Sequence, residues 1–470
     1  MLLPGVLRRP GVRFHRGAVL LNADSVAGAA EMNDLPVVIV GGGPVGLAAA
    51  AQLLKRGATP LVLEAGPTVG ASVLEWGHVR IFSPWKYDID PAARELLEPT
   101  GWIAPDGEAY PTGRELVDQY LAPLGGALGE HLRPRHRVTA VTRLGFDKMK
   151  TDGRDEAPFA LTVAIPGGER LILARAVIDA SGTYGIPNPL GASGVLARGE
   201  AAAAHRIHYG IADPVGRDRA RYLAKRVLVV GSGHSAFDVL IDLAELPGTP
   251  ITWLVRRPMA DAKYGGAEND ALPARGALGA RMRGLVERGA VTQVVLRIAA
   301  LRETPSGVLV SDGIREVGPF DEIIATTGFR PDLAPLRELR VRLDEILEAP
   351  PALAPLIDPN VHSCGTVPPH GVRELRHPEK DFYIVGMKSY GRAPTFLMLT
   401  GYEQVRSIAS ALVGDMKGAD AVELVLPQTG VCSGGSNCCD GVDCSSAEST
   451  CCGAGATQVI PLSALSAVRT

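Results

Sequence analysis

Two stretches of the chain run from a β-branched apolar tetrad straight into glycines and then into an apolar, small-residue pattern of helical period. Residues 36–64 read PVVIVGGGPVGLAAAAQLLKRGATPLVLE, and residues 226–255 read RVLVVGSGHSAFDVLIDLAELPGTPITWLV. A short Val/Ile run closed by glycine predicts a strand buried on both faces, the Ala- and Leu-rich stretch a helix, and the next apolar run a parallel strand. Each stretch is thus one βαβ unit, and the chain as a whole is expected to be α/β. Two further segments, AVIDASGTYGIPNPLG (residues 176–191) and DEIIATTGFRPDL (residues 321–333), read as strand, small residues, glycine and extended chain. YPTGRELVDQYLAPL (residues 110–124) predicts a helix, RELRVRLDEILE (residues 337–348) a solvated helix face, and residues 422–426 a last strand.

Residues 36–54 carry no charge and have the length of a membrane span, but the glycines after Val40 would leave a spanning helix with unsatisfied backbone groups, so no membrane span is expected. The full chain of 470 residues has room for two or three domains. Lys and Arg (48) nearly balance Asp and Glu (51), which supplies no electrostatic footprint for nucleic acid or an anionic membrane. Near the start, Arg8, Arg9, Arg13 and Arg16 precede a mildly apolar stretch that Asn22 and Asp24 interrupt. That is not the core of a signal peptide, so a cytoplasmic location is expected, and residues 1–32 are set apart as an N-terminal extension.

The glycine turns carry the chemistry. Gly41 permits the tight turn, Gly43 lets the backbone approach a diphosphate, and Gly46 allows close helix packing, with Pro44 and Val45 opening the helix toward the phosphates. Glu64, with Ala65 after it, ends the next strand 23 residues beyond Gly41, where a carboxylate accepts hydrogen bonds from a ribose. In the second unit Gly231, Gly233 and Ala236 fill the small positions, and Ser235 could donate to a phosphate oxygen while His234 could cap the helix. There the following strand ends in Arg256 and Arg257, cations suited to the 2′-phosphate of NADPH, or else two solvated loop arginines. The contrast assigns FAD to the first unit and NADPH to the second. Gly182 and Gly328 would let the backbone pass close to these cofactors.

These motifs together resemble the two-dinucleotide-binding flavoproteins, and among them the flavin-containing monooxygenases more than the thioredoxin reductases. The resemblance spans residues 35–427. It implies two Rossmann-like domains, with an NADPH domain (residues 216–320) inserted between the two parts of an FAD domain (residues 33–215 and 321–427). It also implies that Gly386, in DFYIVGMKSYGRAPTFLMLTGYEQ, lies near the flavin and that the backbone of Val138 meets the adenine. The implied reaction is hydride transfer from NADPH to FAD, then activation of molecular oxygen toward a small-molecule substrate; the alternatives are a reductase or oxidase, or a non-enzymatic redox or metalloid sensor.

Several positions depart from the monooxygenase pattern. GEAAAAHRIHYG keeps a histidine, His205 or His208, but lacks the Phe and Gly of the FxGxxxH fingerprint, and Phe82 or Ser83 stands where the family has a flavin-proximal asparagine. No CxxC pair occurs in the body, so an internal disulfide cannot take electrons from the flavin. His78, Trp85, Lys86 and Tyr87 could border the flavin or simply pack, and His362 with Cys364 could be a nucleophile or metal pair but reads more readily as a structural loop. No catalytic acid or base can be named from the sequence.

The remaining six cysteines, Cys432, Cys438, Cys439, Cys444, Cys451 and Cys452, crowd the Gly- and Ser-rich segment 428–470, read as a flexible tail. Clustered thiolates suit a thiophilic ion. The tail makes the chain similar to flavoproteins found beside arsenic-resistance genes, although it could equally have no role.

Overall fold

The computed structural model describes residues 20–21, 32–259, 264, 273–360, 367–394 and 396–424, all within the first of the chain's two compact units, residues 1–433. The first glycine unit forms β1 (Val37–Val40), α1 (Pro44–Lys55) and β2 (Pro60–Leu63), and after a long excursion the chain adds β3 (Ala176–Asp179). The second unit forms β4 (Val227–Val230), α2 (His234–Leu243) and β5 (Ile251–Val255), followed later by β6 (Glu322–Ala325). The described chain closes with β7 (Phe382–Ile384) and α3 (Met398–Leu412).

Two five-stranded parallel sheets result. One has the order β7-β3-β1-β2 with Leu132–Arg133 at its edge, and the other has Thr292–Val295 at one edge, then β5-β4-β6, then Ile207–Tyr209. The α/β expectation with two Rossmann-like units is met. β1 is buried except at Val40, and β4 is buried throughout, because helices cover one face of each parallel sheet and an antiparallel sheet covers the other, which leaves the β-branched side chains nowhere to meet water. The alanines of α1 are buried to the last few per cent and let α3 approach closely, with Val405, Ile408 and Ala409 in the same core.

Two antiparallel sheets interrupt this plan. Arg137–Arg143, Phe159–Ile165 and Gly168–Ala174, between β2 and β3, form one with Leu20–Leu21 from before β1 at its edge, and Ala300–Thr304, Gly307–Ser311 and Glu316–Phe320 form a three-stranded one before β6. Among the described residues no helix is long and apolar enough to cross a membrane.

Sheet membership places the crossings between the two parallel sheets outside the expected boundaries at 215/216 and 320/321. Ile207–Tyr209 and β6 both belong to the second sheet, since the Ile323–Ile324 pair extends the open side of β4. The chain crosses instead near Asn188 and Thr327, and the two crossings are bonded together. Asn188 donates its amide to Gly328 O (2.9 Å) and its side-chain NH2 to Thr327 O (3.1 Å), while the Thr327 hydroxyl donates to Asn188 O (2.6 Å). Tyr184 stacks on Phe329 with ring centroids 4.4 Å apart.

The helix expected over residues 110–124 forms, opened by a Thr112–Glu115 capping box and continuing through a π turn at Val117–Leu121 to Leu128. Residues 337–348 do not form a helix. Their backbone is claimed by distant partners: Arg340 N donates to the Glu379 carboxylate, and Glu348 adopts a φ of 56°. Of residues 422–426, the described part is not strand, and the tail beyond lies outside the described residues.

The return of the chain is fixed by a buried ionic cluster. The Glu379 carboxylate accepts from Arg143 Nε (2.8 Å), Arg154 Nη2 (2.9 Å) and Arg340 N (2.9 Å), and both arginine side chains are essentially fully buried. Burial by itself would raise the Glu379 pKa; the hydrogen bonds outweigh it and hold the carboxyl below its ordinary value. Glu379→Gln would leave two buried guanidinium groups uncompensated, and urea titration should read a loss of about 3–5 kcal/mol. Because the folded pKa is depressed, this stabilisation is complete above the ordinary glutamate range and lost as pH falls through the folded value, so the gap between wild type and variant should close in acid.

Candidate functional site

The two glycine turns have the same construction. Gly41 N donates to Leu63 O (2.8 Å) while Ala180 N donates to Val40 O (2.9 Å); in the second sheet Gly231 N donates to Leu254 O (3.2 Å) and Thr326 N to Val230 O (2.9 Å). The first glycine of each turn has a positive φ, 105° and 144°, and a Cβ there would lie 2.7 Å from Ala180 O or 2.5 Å from Thr326 O. No side chain fits. A Cβ on Gly46 would collide with Gly41 O, which explains the need for a third small residue, and Ala236 is fully buried at the corresponding place.

Gly43 and Gly233 differ from these. Each is the N-cap of its helix, in ordinary extended backbone, and a Cβ on either would meet no protein atom within 4 Å. Neither helix is capped by a side chain, so its first amide groups remain available to an anion. The space a Cβ would fill is the space a diphosphate needs, so these residues fit a dinucleotide in both units.

A cleft of about 390 Å³ lies at the carboxyl end of the first sheet and brings together Gly41, Glu64, Ala65, Val138 and Gly182 among the expected residues. Glu64 is held in place, Oε2 accepting from Gly42 N and Oε1 from Gly66 N, both at 2.6 Å. Gly182 takes a φ of 69° with no protein atom near its Cβ position. Val45 and Gly386 do not line the cleft but lie against each other, a Cβ on Gly386 falling 3.3 Å from Val45 Cγ2, and Pro44 opens α1. None of the second set, Gly231, Gly233, His234, Ser235, Ala236, Arg256 and Arg257, lines this cleft. Arg256 and Arg257 are exposed just past the end of β5. Gly328 belongs to the bonded crossing, its Cβ position 3.4 Å from Asn188 Nδ2.

Comparison with known proteins agrees with this construction. Residues 164–356 match the model of the pyridine nucleotide-disulphide oxidoreductases, and residues 39–94 match that of the NAD(P)-binding Rossmann-like domain. A ferredoxin–NADP reductase of Salinispora tropica is 28% identical over 67% of this chain and 80% of its own length. Indole-3-pyruvate monooxygenase YUCCA1 of Oryza sativa subsp. japonica is 30% identical, over 45% of this chain and 46% of its own length. The bacillithiol disulfide reductase of Bacillus cereus shares the fold, with a TM-score of 0.57 at 20% identity, covering 81% of this chain and 98% of that one. Over these residues the chain is similar to the two-dinucleotide-binding flavoproteins. It is an FAD-dependent NAD(P)H oxidoreductase, with FAD and NADPH as its cofactors.

Other expected residues of the flavoprotein fall elsewhere. Trp85 is buried in the core beside α1, and Lys86 pairs with Glu108 at the surface. His205 is mostly exposed and faces Glu303 at 3.2 Å; His208 is half-buried on an edge strand, and burial lowers its pKa. His78 shares a hydrogen bond with Ala212 O (3.1 Å) and lines a smaller cavity of about 250 Å³ with Arg114 and Arg217. Phe82 packs edge-on against His234, ring centroids 5.4 Å apart. His362, Cys364 and the six tail cysteines lie outside the described residues; among the described residues no cluster suited to a metal occurs.

Three groups escaped the sequence reading. Asp179 and Lys388, each 2% exposed, meet inside the large cleft, Nζ to Oδ2 at 2.7 Å. Each is a lone charge in an otherwise uncharged, apolar or small-residue segment, AVIDASG and YIVGMKSYG, and that was the available signal. Asp88, fully buried, accepts from the Ser83 hydroxyl at 2.6 Å, and burial pushes its carboxyl up to about 7 against that bond.

Gly43→Ala meets no protein atom, so it should change unfolding by no more than about 0.5 kcal/mol while lowering FAD retention at least about tenfold, read as flavin absorbance per chain after gel filtration. Gly233→Ala should stay yellow and lose NADP+ affinity instead. Equal behaviour of the two variants would show that the glycines serve the fold alone.

Proposed function

We propose that the flavoprotein takes hydride from NADPH onto FAD and passes the electrons to molecular oxygen, inserting one oxygen atom into a small substrate with a soft atom or a carbonyl. The balance is NADPH, a proton, oxygen and substrate giving NADP+, water and oxygenated substrate. The observation that carries the cofactor half is the paired glycine turns, one strand ending in Glu64 and the other in Arg256 and Arg257. Glu64 and the first amides of α1 would hold FAD, and the two exposed arginines would take the 2′-phosphate. FAD, when bound, supplies the redox chemistry; the protein supplies orientation and a cleft. With no CxxC pair in the body, electrons must leave the flavin directly to a diffusing acceptor, and the similarity to the rice monooxygenase supports oxygen as that acceptor.

A second reading, an NADPH-dependent reductase, is favoured by the longer similarity to the ferredoxin–NADP reductase.

Replacing both Arg256 and Arg257 by Ser should reduce the preference for NADPH over NADH at least about tenfold in anaerobic stopped-flow flavin reduction, since each removes a charge-assisted contact of about 1.5–3 kcal/mol. An unchanged ratio would place the 2′-phosphate elsewhere. The fate of the electrons is read from oxygen consumption and peroxide yield. Substrate that suppresses peroxide and appears oxygenated one-to-one with NADPH supports monooxygenation. Stoichiometric peroxide whatever substrate is added, or fast anaerobic turnover with a one-electron acceptor, rejects it for the oxidase or reductase.

A further inference from the structure

The cleft that fits FAD contains a cation that none of the expected binding residues accounts for. Lys388 is 2% exposed and lines the cleft together with Asp179 and Ser181. Its ammonium donates to Asp179 Oδ2 (2.7 Å) and Ser181 Oγ (3.0 Å), while Ser181 donates its hydroxyl (2.6 Å) and amide (3.1 Å) to Asp179 Oδ1. The turn that carries it is braced as well. Gly386 N donates to Gln404 Oε1 (2.7 Å), and Gln404 Nε2 donates to Ser389 Oγ (3.0 Å). An ammonium has three N–H donors, and among the described residues two of them find acceptors. A buried ion pair stabilises a fold little compared with apolar residues of the same volume, so stability alone does not account for this one.

Sheet order says which half of the cofactor the pair faces. Asp179 ends β3, and Lys388 follows β7; both strands lie on one side of β1, and β2 with Glu64 lies on the other. A dinucleotide whose diphosphate crosses the glycine turn after β1, with its adenosine ribose at Glu64, extends its other half over β3 and β7. We propose that Lys388, oriented by Asp179 and Ser181, is a cofactor-positioning residue that gives its third N–H to an acceptor on the flavin half of FAD and, as a fixed cation, favours the reduced form of the flavin. This rests on the reading of the first unit as the FAD site. Two-electron reduction adds negative charge to the bound group, and a positive charge fixed in a low-dielectric cleft favours the state that carries it.

The test compares Lys388→Met, Lys388→Arg and the double variant Asp179→Asn/Lys388→Met in the full chain, reading the FAD dissociation constant by flavin fluorescence and the two-electron midpoint potential by anaerobic dye titration. Lys388→Met is expected to weaken FAD binding at least tenfold and to shift the reduction equilibrium at least tenfold toward oxidised flavin, about 30 mV for a two-electron couple. Lys388→Arg should recover most of the potential. The double variant separates loss of the cofactor contact from the cost of leaving Asp179 buried and unpaired, and it carries the comparison if Lys388→Met alone does not fold. A potential still lowered in the double variant supports the proposal. A potential that returns to the wild-type value there, or does not move in Lys388→Met, overturns it and leaves the FAD site standing. Wild-type protein that takes up no FAD overturns both.

Discussion

At the carboxyl end of each parallel sheet, the glycine that follows the central strand is pressed against the carbonyl of the strand beside it, Gly41 against Ala180 and Gly231 against Thr326. That contact holds the turn, and the turn aims a helix N-terminus that no side chain caps. Any side chain at either position would push the neighbouring strand away. The tolerance is local and steric, so the same solution serves two sheets whose remaining sequences share little.

Around these turns the fold is held by contacts between residues far apart in the chain. The Glu379 carboxylate joins Arg143 and Arg154 from the antiparallel excursion to the returning segment, and Lys388 reaches back to Asp179 across 209 positions. Both are charged groups in nearly dry surroundings, where a missing partner costs far more than the complete set gains. They make the return of the chain to the first sheet specific rather than merely apolar.

What was legible beforehand follows from the range of the forces involved. The βαβ units, the Gly positions, Glu64 and the Thr112-capped helix are decided within about thirty residues, by burial on both faces of a strand, by sterics in a turn and by a reciprocal cap. Residues 337–348 carry a helical pattern, yet their amides are spent on Glu379 and other partners, so tertiary bonding overrides propensity. Trp85 was open between bordering the flavin and simple packing, and it is core, because an indole beside a proline gives no hint of which side of α1 it will meet. The Asp179–Lys388 pair was invisible as a pair, although each member stood out as a lone charge. The strand boundaries of the inserted sheet depend on which open edge is free to accept a partner, and that is known only once both sheets exist.

The paired crossings at Asn188 and Thr327 mean that everything between them leaves and re-enters at one point. The β7-β3-β1-β2 arrangement gains no strand from the segment in between, and the two connections already hydrogen-bond to each other. Such a junction is a splice point: a unit with its ends equally close together could be exchanged there without rethreading the host sheet. In modular terms, the second glycine unit is a cassette, and the first parallel sheet is the socket that receives it.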